Sequence, residues 1–224
     1  MRKIEKGVLP VLERWKLKNK GKRYADLVGH ESIKDAIRKA CVTEQHGLCA
    51  YCCRRITDAR DGSNSAHNEH VEAQRLAPGR TLDFQNMVAS CNQANQCGNA
   101  HAHQALPLTP LMAECETELQ FELSGLVTGT SDRAITSIRA LNLGDTRQAN
   151  RGLVAERKTM IDSLMFSCGI DPAELALEDD DLLQLLLDDL SRRDDQQRLQ
   201  PFSPVLANVI RRYQLLRAPN VPSA

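Results

Sequence analysis

The spacing of apolar residues predicts helices at both ends of the chain and an irregular middle. Between residues 30 and 47, apolar side chains recur every three or four positions, as on one face of a helix: Ile33, Ala36, Ile37 and Ala40. Ser32 followed by Asp35 resembles a capping box at the start of this helix, and Gly47 predicts its end. Residues 48–104 are rich in Cys, His, Asn and Gly, with little helical period, and are not predicted as helix.

The segment after residue 110 is predicted to be mostly helical, with one β-hairpin. Leu119, Phe121 and Leu123 alternate with polar residues around Ser124 and Gly125, a pattern typical of a hairpin. Helical periodicity follows in four segments, namely 132–143, 152–166, 172–197 and 203–216, of which the third suits either one helix or two shorter ones. The third segment carries an apolar stripe that suits either core packing or a partner helix: Leu183, Leu186, Leu187 and Leu190.

Composition and charge bear on the number of domains and on the kind of binding partner. With 224 residues, 42% of them hydrophobic, the chain suits one globular domain, or a small domain with an extension. Residues 1–40 hold twelve Lys and Arg against five Asp and Glu, a balance of +7, whereas residues 171–195 hold two against ten, a balance of −8. Trp15 and Tyr24 lie among the N-terminal cations, which suits contact with nucleic acid; an ordered surface arm is the alternative.

The lack of targeting signals predicts a cytoplasmic protein. No window reaches the ~18 consecutive apolar residues of a membrane span, and the start, MRKIEKG, lacks the apolar region of a signal peptide. Because thiols stay reduced in the cytoplasm, the eight cysteines need an explanation other than disulfides.

Four of the cysteines predict a structural zinc site. Cys49 and Cys52 form a C-x2-C pair, and Cys91 and Cys97 form a wider pair after 38 intervening residues. Two short-spaced pairs can supply the four soft ligands of a zinc tetrahedron at little cost in chain closure. The isolated cysteines are expected to be small buried hydrophobic residues: Cys41, Cys115 and Cys168.

Between these pairs lies an acidic residue next to a histidine, Glu69-His70, followed by Asn86 just before the second pair. This order, from Cys49 to His103, resembles the HNH or ββα-metal endonuclease family. The resemblance implies that His70 is the general base and that Glu69 is a ligand of Mg²⁺ or another hard divalent cation. It also implies that Asn86 holds the loop between two strands and orients His70.

A third metal-binding position is expected just after the last cysteine. In many members of the family an Asn or His follows that cysteine directly, but here Gly98 does. Asn99 is therefore the first candidate and His101 the second, ahead of His103 and Asn95. His67, three residues before His70, is interpreted as a surface or supporting residue.

The resemblance implies an α+β fold in three segments. Residues 1–47 are expected to form a basic N-terminal arm and helix, and residues 48–110 a zinc-stabilised ββα-metal (HNH) core. Residues 111–224 are expected to form a mostly helical region with a β-hairpin, which would bind a partner. Phosphate contacts are expected from the N-terminal cations and from four arginines around the core: Arg54, Arg55, Arg75 and Arg80.

A wider similarity covers most of the chain. The segments CAYC, QNMVASC, PLTPL, LQFELSGLVTG and IRALNLGDTRQANR resemble the HNH proteins of bacterial Septu anti-phage systems, the PtuB family, which also accompany some retrons. This similarity implies a defence effector that acts with an ABC/SMC-like ATPase of the PtuA type. In retrons, a reverse transcriptase with its RNA–DNA hybrid would join them. The alternatives are a non-catalytic zinc module that binds nucleic acid and a regulatory subunit with a vestigial site.

Overall fold

The structure, a computed structural model, describes residues 1–175 and 178–217. Within them the chain is a mixed α/β protein with eight helices and two separate antiparallel hairpins. The helices are α1 (Pro10–Lys18), α2 (Glu31–Glu44), α3 (Gly98–His101), α4 (Cys115–Glu118), α5 (Asp132–Ala140), α6 (Arg151–Ser167), α7 (Asp180–Leu190) and α8 (Ser203–Arg217). The strands are β1 (Ala66–His70), β2 (Met87–Cys91), β3 (Leu119–Phe121) and β4 (Val127–Gly129).

The N-terminal segment begins with a helix that packs against the rest of the fold. Pro10 begins α1, where its fixed φ suits the first helical turn. Leu12 and Trp15 from this helix are buried, and the Trp15 ring contacts the edge of His30 with ring centres 5.5 Å apart. Trp15 is therefore a core residue and not an exposed platform for nucleic-acid bases.

The predicted central helix is present as α2, but its start was predicted wrongly. The helix begins at Glu31, and Ser32 lies inside the first turn instead of capping it. His30 holds the capping position and makes no side-chain cap hydrogen bond. The end of the helix agrees with the prediction, since Gly47 has a φ of +72° that β-carbon-bearing residues avoid.

The hairpin of β1 and β2 forms the centre of the fold. Ala66 pairs with Cys91 and His70 with Met87 in an antiparallel register. All five residues of β2 are buried, and α2 packs across both strands. The sequence of β1, Ala-His-Asn-Glu-His, has weak strand propensity, so pairing with the buried β2 stabilises it as a strand.

The C-terminal hairpin and helices are close to the prediction. β3 and β4 are antiparallel and joined by a turn at Gly125, where φ is +83°. α5 and α6 occupy the predicted segments. Of the predicted helix 172–197, the structure forms only α7, which begins after the capping residue Asp179; residues 176–177 lie outside the described residues, as do residues 218–224 of the C-terminal segment.

One hydrophobic cluster runs through all three segments of the chain, from Met1 to Ile210. The leucine stripe of α7 is buried in it and packs on α8, so its use within the fold is core packing. Among the described helices, none has the length and apolar character needed to cross a membrane.

Candidate functional site

Four cysteines from two segments converge beside the central hairpin. The sulfur atoms of Cys49, Cys52, Cys91 and Cys97 all lie within 4.8 Å of one another, and all four residues are buried. The Sγ atoms of Cys52 and Cys91 are 3.9 Å apart, close to the ~3.8 Å between two thiolates on one tetrahedral zinc ion. The predicted grouping of the two pairs is confirmed, and the cluster could hold a metal ion such as zinc.

Hydrogen-bond donors surround this cysteine cluster. The backbone N–H of Cys91 donates to Cys49 Sγ at 3.4 Å. Gln96 Nε2 lies 3.7 Å from Cys91 Sγ and 3.9 Å from Cys97 Sγ, and Asn150 Nδ2 donates to Gln96 Oε1 at 3.1 Å. Donors to sulfur favour the thiolate over the thiol, which is the form that binds metal.

A buried arginine supplies positive charge near the cluster. The side chain of Arg157 is fully buried and donates to Gly125 O at 2.5 Å and to Leu143 O at 3.0 Å. No carboxylate pairs with it among residues 1–175 and 178–217. Burial lowers the pKa of Arg157, and the cysteine sulfurs nearby, that of Cys52 first, oppose this shift. Four thiolates around one divalent ion carry net negative charge, so Arg157 fits the metal-bound state.

The three isolated cysteines, Cys41, Cys115 and Cys168, stand apart from this chemistry. Burial raises the pKa of Cys41 to about 12 and that of Cys115 to about 11, so both thiols are protonated at neutral pH. These two residues are buried, as predicted. Cys168 is only partly buried, because it ends α6 at the surface, and the prediction of a buried residue was wrong there.

β1 presents two different faces. Successive side chains of a strand point to opposite sides. His67 Nε2 lies 3.4 Å from Glu69 Oε2 on one side. On the other side, Asn68 Nδ2 donates to the hydroxyl of Tyr24 at 2.9 Å, and the Tyr24 ring meets the edge of His70 with ring centres 4.9 Å apart. Glu69 and His70 therefore face apart, although the resemblance implies that both act on one phosphate.

The carboxylate of Glu69 meets a buried histidine from α3. Glu69 Oε1 lies 2.6 Å from His101 Nδ1, and the opposite ring nitrogen, Nε2, lies 2.7 Å from Gln104 O. A carbonyl oxygen only accepts, so Nε2 carries the hydrogen. A neutral His101 then directs the lone pair of Nδ1 at the carboxylate. That arrangement is repulsive until the ring gains a proton or both groups bind one cation, and a ligating histidine commonly donates its other N–H to a carbonyl in this way.

His67 repeats the same arrangement on the other oxygen of Glu69. Its Nδ1 lies 2.8 Å from Asn92 Oδ1, while Asn92 Nδ2 donates to Ser65 Oγ at 2.9 Å, which turns the amide oxygen toward the ring. Nδ1 therefore carries the hydrogen, and Nε2 faces Glu69. Burial lowers the pKa of His67, but the hydrogen bonds with Glu69 and Asn92 outweigh it and raise this pKa overall.

Glu69 is held as a carboxylate by these neighbours. Burial raises the pKa of Glu69, yet hydrogen bonds from His101 and His67, which form when the facing ring nitrogens carry a proton, outweigh burial and lower it overall. The cluster of His67, Glu69 and His101 thus combines one carboxylate with two imidazoles that each point a nitrogen at it. A divalent cation bound there would replace the protons on those nitrogens, and the donor set suits such a cation. Sequence reasoning missed His67, although its position two residues before Glu69 puts both on the same face of a strand.

The other candidates for the third metal-binding position do not reach Glu69. Asn99, the first choice from the sequence, is exposed, and its Nδ2 donates to Gln93 O at 2.9 Å. His103 is also exposed. The residue directly after Cys97 is a glycine and not an Asn or His because there is no room for a side chain. A Cβ added at Gly98 would lie 2.5 Å from His67 Nε2 and 2.8 Å from Glu69 Oε2.

Gly98→Ala is expected to weaken divalent-cation binding about tenfold while leaving the cysteine cluster loaded with zinc, since the new methyl group displaces His67 and Glu69. Gly98 does not have a positive φ, so alanine costs no backbone strain there. Titration with Mn²⁺ followed by electron paramagnetic resonance would measure the affinity. Gly79→Ala is the matched control, because a Cβ at Gly79 meets nothing within 4 Å. Equal Mn²⁺ affinity in the two variants would contradict the expectation.

His70 is fixed as a neutral base. Its Nε2 lies 2.9 Å from Thr81 O, so Nε2 carries the hydrogen and Nδ1 keeps a lone pair. Burial lowers the pKa of His70 and outweighs the opposing hydrogen bond to Thr81. The ring is therefore neutral at pH 7, although Tyr24 covers one edge and the residue is only 5% exposed.

Asn86 closes the loop between β1 and β2. Its Oδ1 accepts from the backbone N–H of Glu72 at 2.8 Å, and its Nδ2 donates to Glu72 O at 3.0 Å. The backbone carbonyl of Asn86 accepts from Val71 N at 2.9 Å. These three bonds hold the chain just after His70 against the start of β2.

Of the four arginines predicted to contact nucleic acid, three are engaged within the protein. Arg54 forms a two-bond ion pair with Glu156, and Arg55 donates to backbone carbonyls of residues 46, 47 and 199. Arg80 pairs with Glu72 and Asp83. Arg75 is exposed, with no hydrogen bond or ion pair to the other described residues.

A basic cleft lies beside the loop that holds His70. It encloses about 480 Å³ between the end of α1 and residues 78–83, and Thr81 forms part of its wall. Asp83 is the one acidic residue among the described lining residues. Four cationic residues line the cleft: Lys16, Lys20, Lys22 and Arg23. The charge of this cleft suits phosphate groups.

Comparison with known proteins gives no family assignment. No protein-family model matches the chain, and no curated protein matches it with significant similarity. A function for this chain is therefore inferred from its own residues and their geometry.

Proposed function

We propose that this chain is a metal-dependent HNH endonuclease that hydrolyses phosphodiester bonds of nucleic acid, either DNA or RNA. The observation that carries the proposal is the cluster of His67, Glu69 and His101, in which two imidazoles each point one nitrogen at a partly buried carboxylate. The cluster is built on a two-stranded hairpin and a short helix that share a four-cysteine site. Neutral His70 follows directly in the chain.

In this proposal the four cysteines hold a structural zinc ion that takes no part in the reaction. Glu69 and His101, with His67 beside them, would hold Mg²⁺ or another divalent cation. Such a cation offsets negative charge on the scissile phosphate and on the leaving oxygen. The donor set fits, because the second nitrogen of each histidine already donates to an oxygen of the protein.

His70 is the proposed base. Because Nε2 donates its hydrogen to Thr81 O, Nδ1 is the atom that accepts a proton from the attacking water. The depressed pKa of His70 keeps that nitrogen free at neutral pH. Attack in line would leave 5′-phosphate and 3′-hydroxyl ends. Asn86 supports this geometry by fixing the loop that follows His70.

Phosphate binding is assigned mainly to the cleft lined by Lys16, Lys20, Lys22 and Arg23, together with the exposed Arg75. Lys16 and Lys22 pair with Glu13 and Asp26, but these are surface ion pairs, which are weak and which a phosphate can replace. Arg54, Arg55 and Arg80 hold internal partners, so we expect them to act in nucleic-acid binding only if those contacts open. None of these contacts reads a base, so sequence specificity must come from elsewhere.

The similarity to the PtuB family extends the proposal to a biological setting. The chain would be the effector of a bacterial anti-phage defence system and would act in the cytoplasm with an ABC/SMC-like ATPase of the PtuA type. In a retron setting, a reverse transcriptase and its RNA–DNA hybrid would belong to the same assembly. The C-terminal segment, residues 111–224, is the expected partner-binding region.

A second candidate is a non-catalytic, zinc-dependent nucleic-acid-binding or regulatory subunit. The observation that favours it is the orientation of β1, since Glu69 and His70 face apart and Tyr24 covers the edge of His70. A protonated His101 paired with Glu69 would then be a structural ion pair.

His70→Ala is expected to lower the cleavage rate by about 10²- to 10⁴-fold, the usual contribution of a general base. The assay incubates protein with plasmid, single-stranded DNA or total cellular RNA in Mg²⁺, with and without the ATPase partner. His103→Ala is the matched control, because that histidine is exposed.

Cleavage that requires Mg²⁺ and His70, but not His103, would establish the nuclease and identify its substrate. Nucleic-acid binding without cleavage in every condition, partner included, would instead favour the second candidate.

A further inference from the structure

A second cavity, of about 300 Å³, opens at the start of α8. Its walls come from the N-terminal segment, from α4, from the end of α7 and the loop after it, and from the first three turns of α8. None of its lining residues belongs to the cysteine cluster or to the site around Glu69. The volume is that of roughly ten water molecules, enough for a phosphate group and a small organic group attached to it.

The cavity is lined by more positive than negative charge. Arg2, Arg193 and Arg211 line it, and none of the three forms an ion pair within residues 1–175 and 178–217. Glu116 is the one acidic side chain on the described wall, and its Oε1 accepts from the backbone N–H of Lys3 at 2.9 Å. The acidic side chains of α7 do not line the cavity, since only Leu190 of that helix does.

The helix α8 adds to this positive potential. It is 15 residues long, and its first residues, Ser203 and Pro204, line the cavity. Its N-terminal N–H groups are already engaged, for example Val205 N with Phe202 O at 2.9 Å and Leu206 N with the same oxygen at 3.1 Å. The helix therefore contributes its dipole, and hydrogen bonds to a ligand must come from side chains.

One such side chain lacks a partner. Ser203 is 1% exposed, and its Oγ is buried with no hydrogen bond to any described residue. A buried hydroxyl without a partner is uncommon because the loss of hydration is then uncompensated. Ser203 forms part of the cavity wall, so a rotation about its Cα–Cβ bond would bring the buried Oγ to a ligand oxygen and supply the missing hydrogen bond.

We propose that this cavity binds a phosphate group, carried by a small phosphorylated molecule or by the 5′-phosphate end of a nucleic acid. Three guanidinium groups and one hydroxyl match a dianion with several acceptor oxygens better than they match a single carboxylate. Glu116, which carries the opposite charge, would accept a hydrogen bond from a hydroxyl or amino group of the attached organic part. The site is separate from the proposed nuclease site, and neither proposal depends on the other.

Binding can be measured on the full chain by isothermal titration calorimetry in a buffer free of phosphate and sulfate. The probes are inorganic phosphate, adenosine 5′-monophosphate, and an eight-nucleotide DNA with or without a 5′-phosphate, in EDTA at fixed ionic strength. Preference for the mononucleotide would identify a small ligand. Preference for the 5′-phosphorylated DNA over its unphosphorylated form would identify a nucleic-acid end.

The variant that tests the charges is Arg193→Ser combined with Arg211→Ser, for which we expect at least a tenfold loss of affinity for the preferred probe. Arg192→Ser is the matched control, because Arg192 is an exposed neighbour that pairs with Asp189 at 3.3 Å and does not line the cavity. Glu116→Gln removes the one negative charge and is expected to tighten the binding of inorganic phosphate.

Ser203→Ala separates ligand binding from folding. Without phosphate the variant should be as stable as the wild type, because the lost hydroxyl has no partner. Its affinity for the preferred probe should fall about threefold or more. The proposal is overturned if no probe binds to the wild type, or if the double arginine variant binds the preferred probe as tightly as the Arg192→Ser control does.

Discussion

Cys97→Ser is expected to release a metal ion held by the four cysteines and to destabilise the protein more than any other single change considered. Cys97 is completely buried and is one of four sulfurs that lie within 4.8 Å of one another. A serine hydroxyl does not replace a soft thiolate ligand. Because metal binding and folding are linked in such sites, we expect a loss of about 4 kcal/mol and a fall in Tm of roughly 10 °C.

The effect should also reach the site around Glu69. Cys97 directly precedes α3, and its carbonyl accepts from the backbone N–H of His101 at 2.8 Å. Loss of the metal frees this turn, so the His101 ring no longer meets Glu69. We therefore expect the variant to lose Mn²⁺ binding as well.

Zinc content by mass spectrometry and thermal unfolding by circular dichroism, both under reducing conditions, would measure these effects. Cys168→Ser is the matched control, because Cys168 is partly exposed and lies outside the cysteine cluster. If Cys97→Ser retained one zinc per chain and the Tm of the control, the four cysteines would not be a metal site.

Glu69→Gln is expected to abolish both divalent-cation binding and cleavage, while the zinc site stays loaded. The substitution keeps the size of the side chain but removes the charge that both His67 and His101 face. Removing a direct carboxylate ligand from such a site should weaken Mn²⁺ binding by about 100-fold or more, and the cleavage rate should fall at least as far.

The control for this change is Glu72→Gln, three residues along the same segment. Glu72 is exposed, and its side chain pairs only with Arg80 among the described residues. Mn²⁺ titration, zinc content and the nucleic-acid cleavage assay should be run on both variants. Cleavage at the wild-type rate by Glu69→Gln would refute the assignment of Glu69 as a metal ligand, whatever the state of the zinc.

The sequence predicted the parts of this protein that depend on local spacing. The C-x2-C pair and the wider pair of Cys91 and Cys97 indicated one cluster, and the structure brings the four sulfurs together. The alternation around Gly125 indicated the second hairpin, because a positive φ at a glycine suits a tight turn. Helical periodicity indicated α5 and α6 for the same reason: the signal lies within a few neighbouring residues.

Residue order could not predict features that arise between distant segments. Ser32 and Asp35 have the spacing of a capping box, yet α2 begins at Glu31 and leaves Ser32 inside its first turn. Trp15 lies among lysines in the sequence, but it is buried in the fold.

The candidate site divides in the same way. From the sequence alone came the residue types: the four cysteines, Glu69, His70 and Asn86. Tertiary structure decided which of them meet, because only pairing with β2 makes residues 66–70 a strand, whose alternation then turns Glu69 and His70 to opposite faces and pairs Glu69 with His67. It also chose His101 over Asn99, since the close approach of Gly98 to Glu69 orients α3 so that its fourth residue, and not its second, reaches the carboxylate. Local spacing fixes what a segment can contribute, whereas long-range packing fixes which contributions meet.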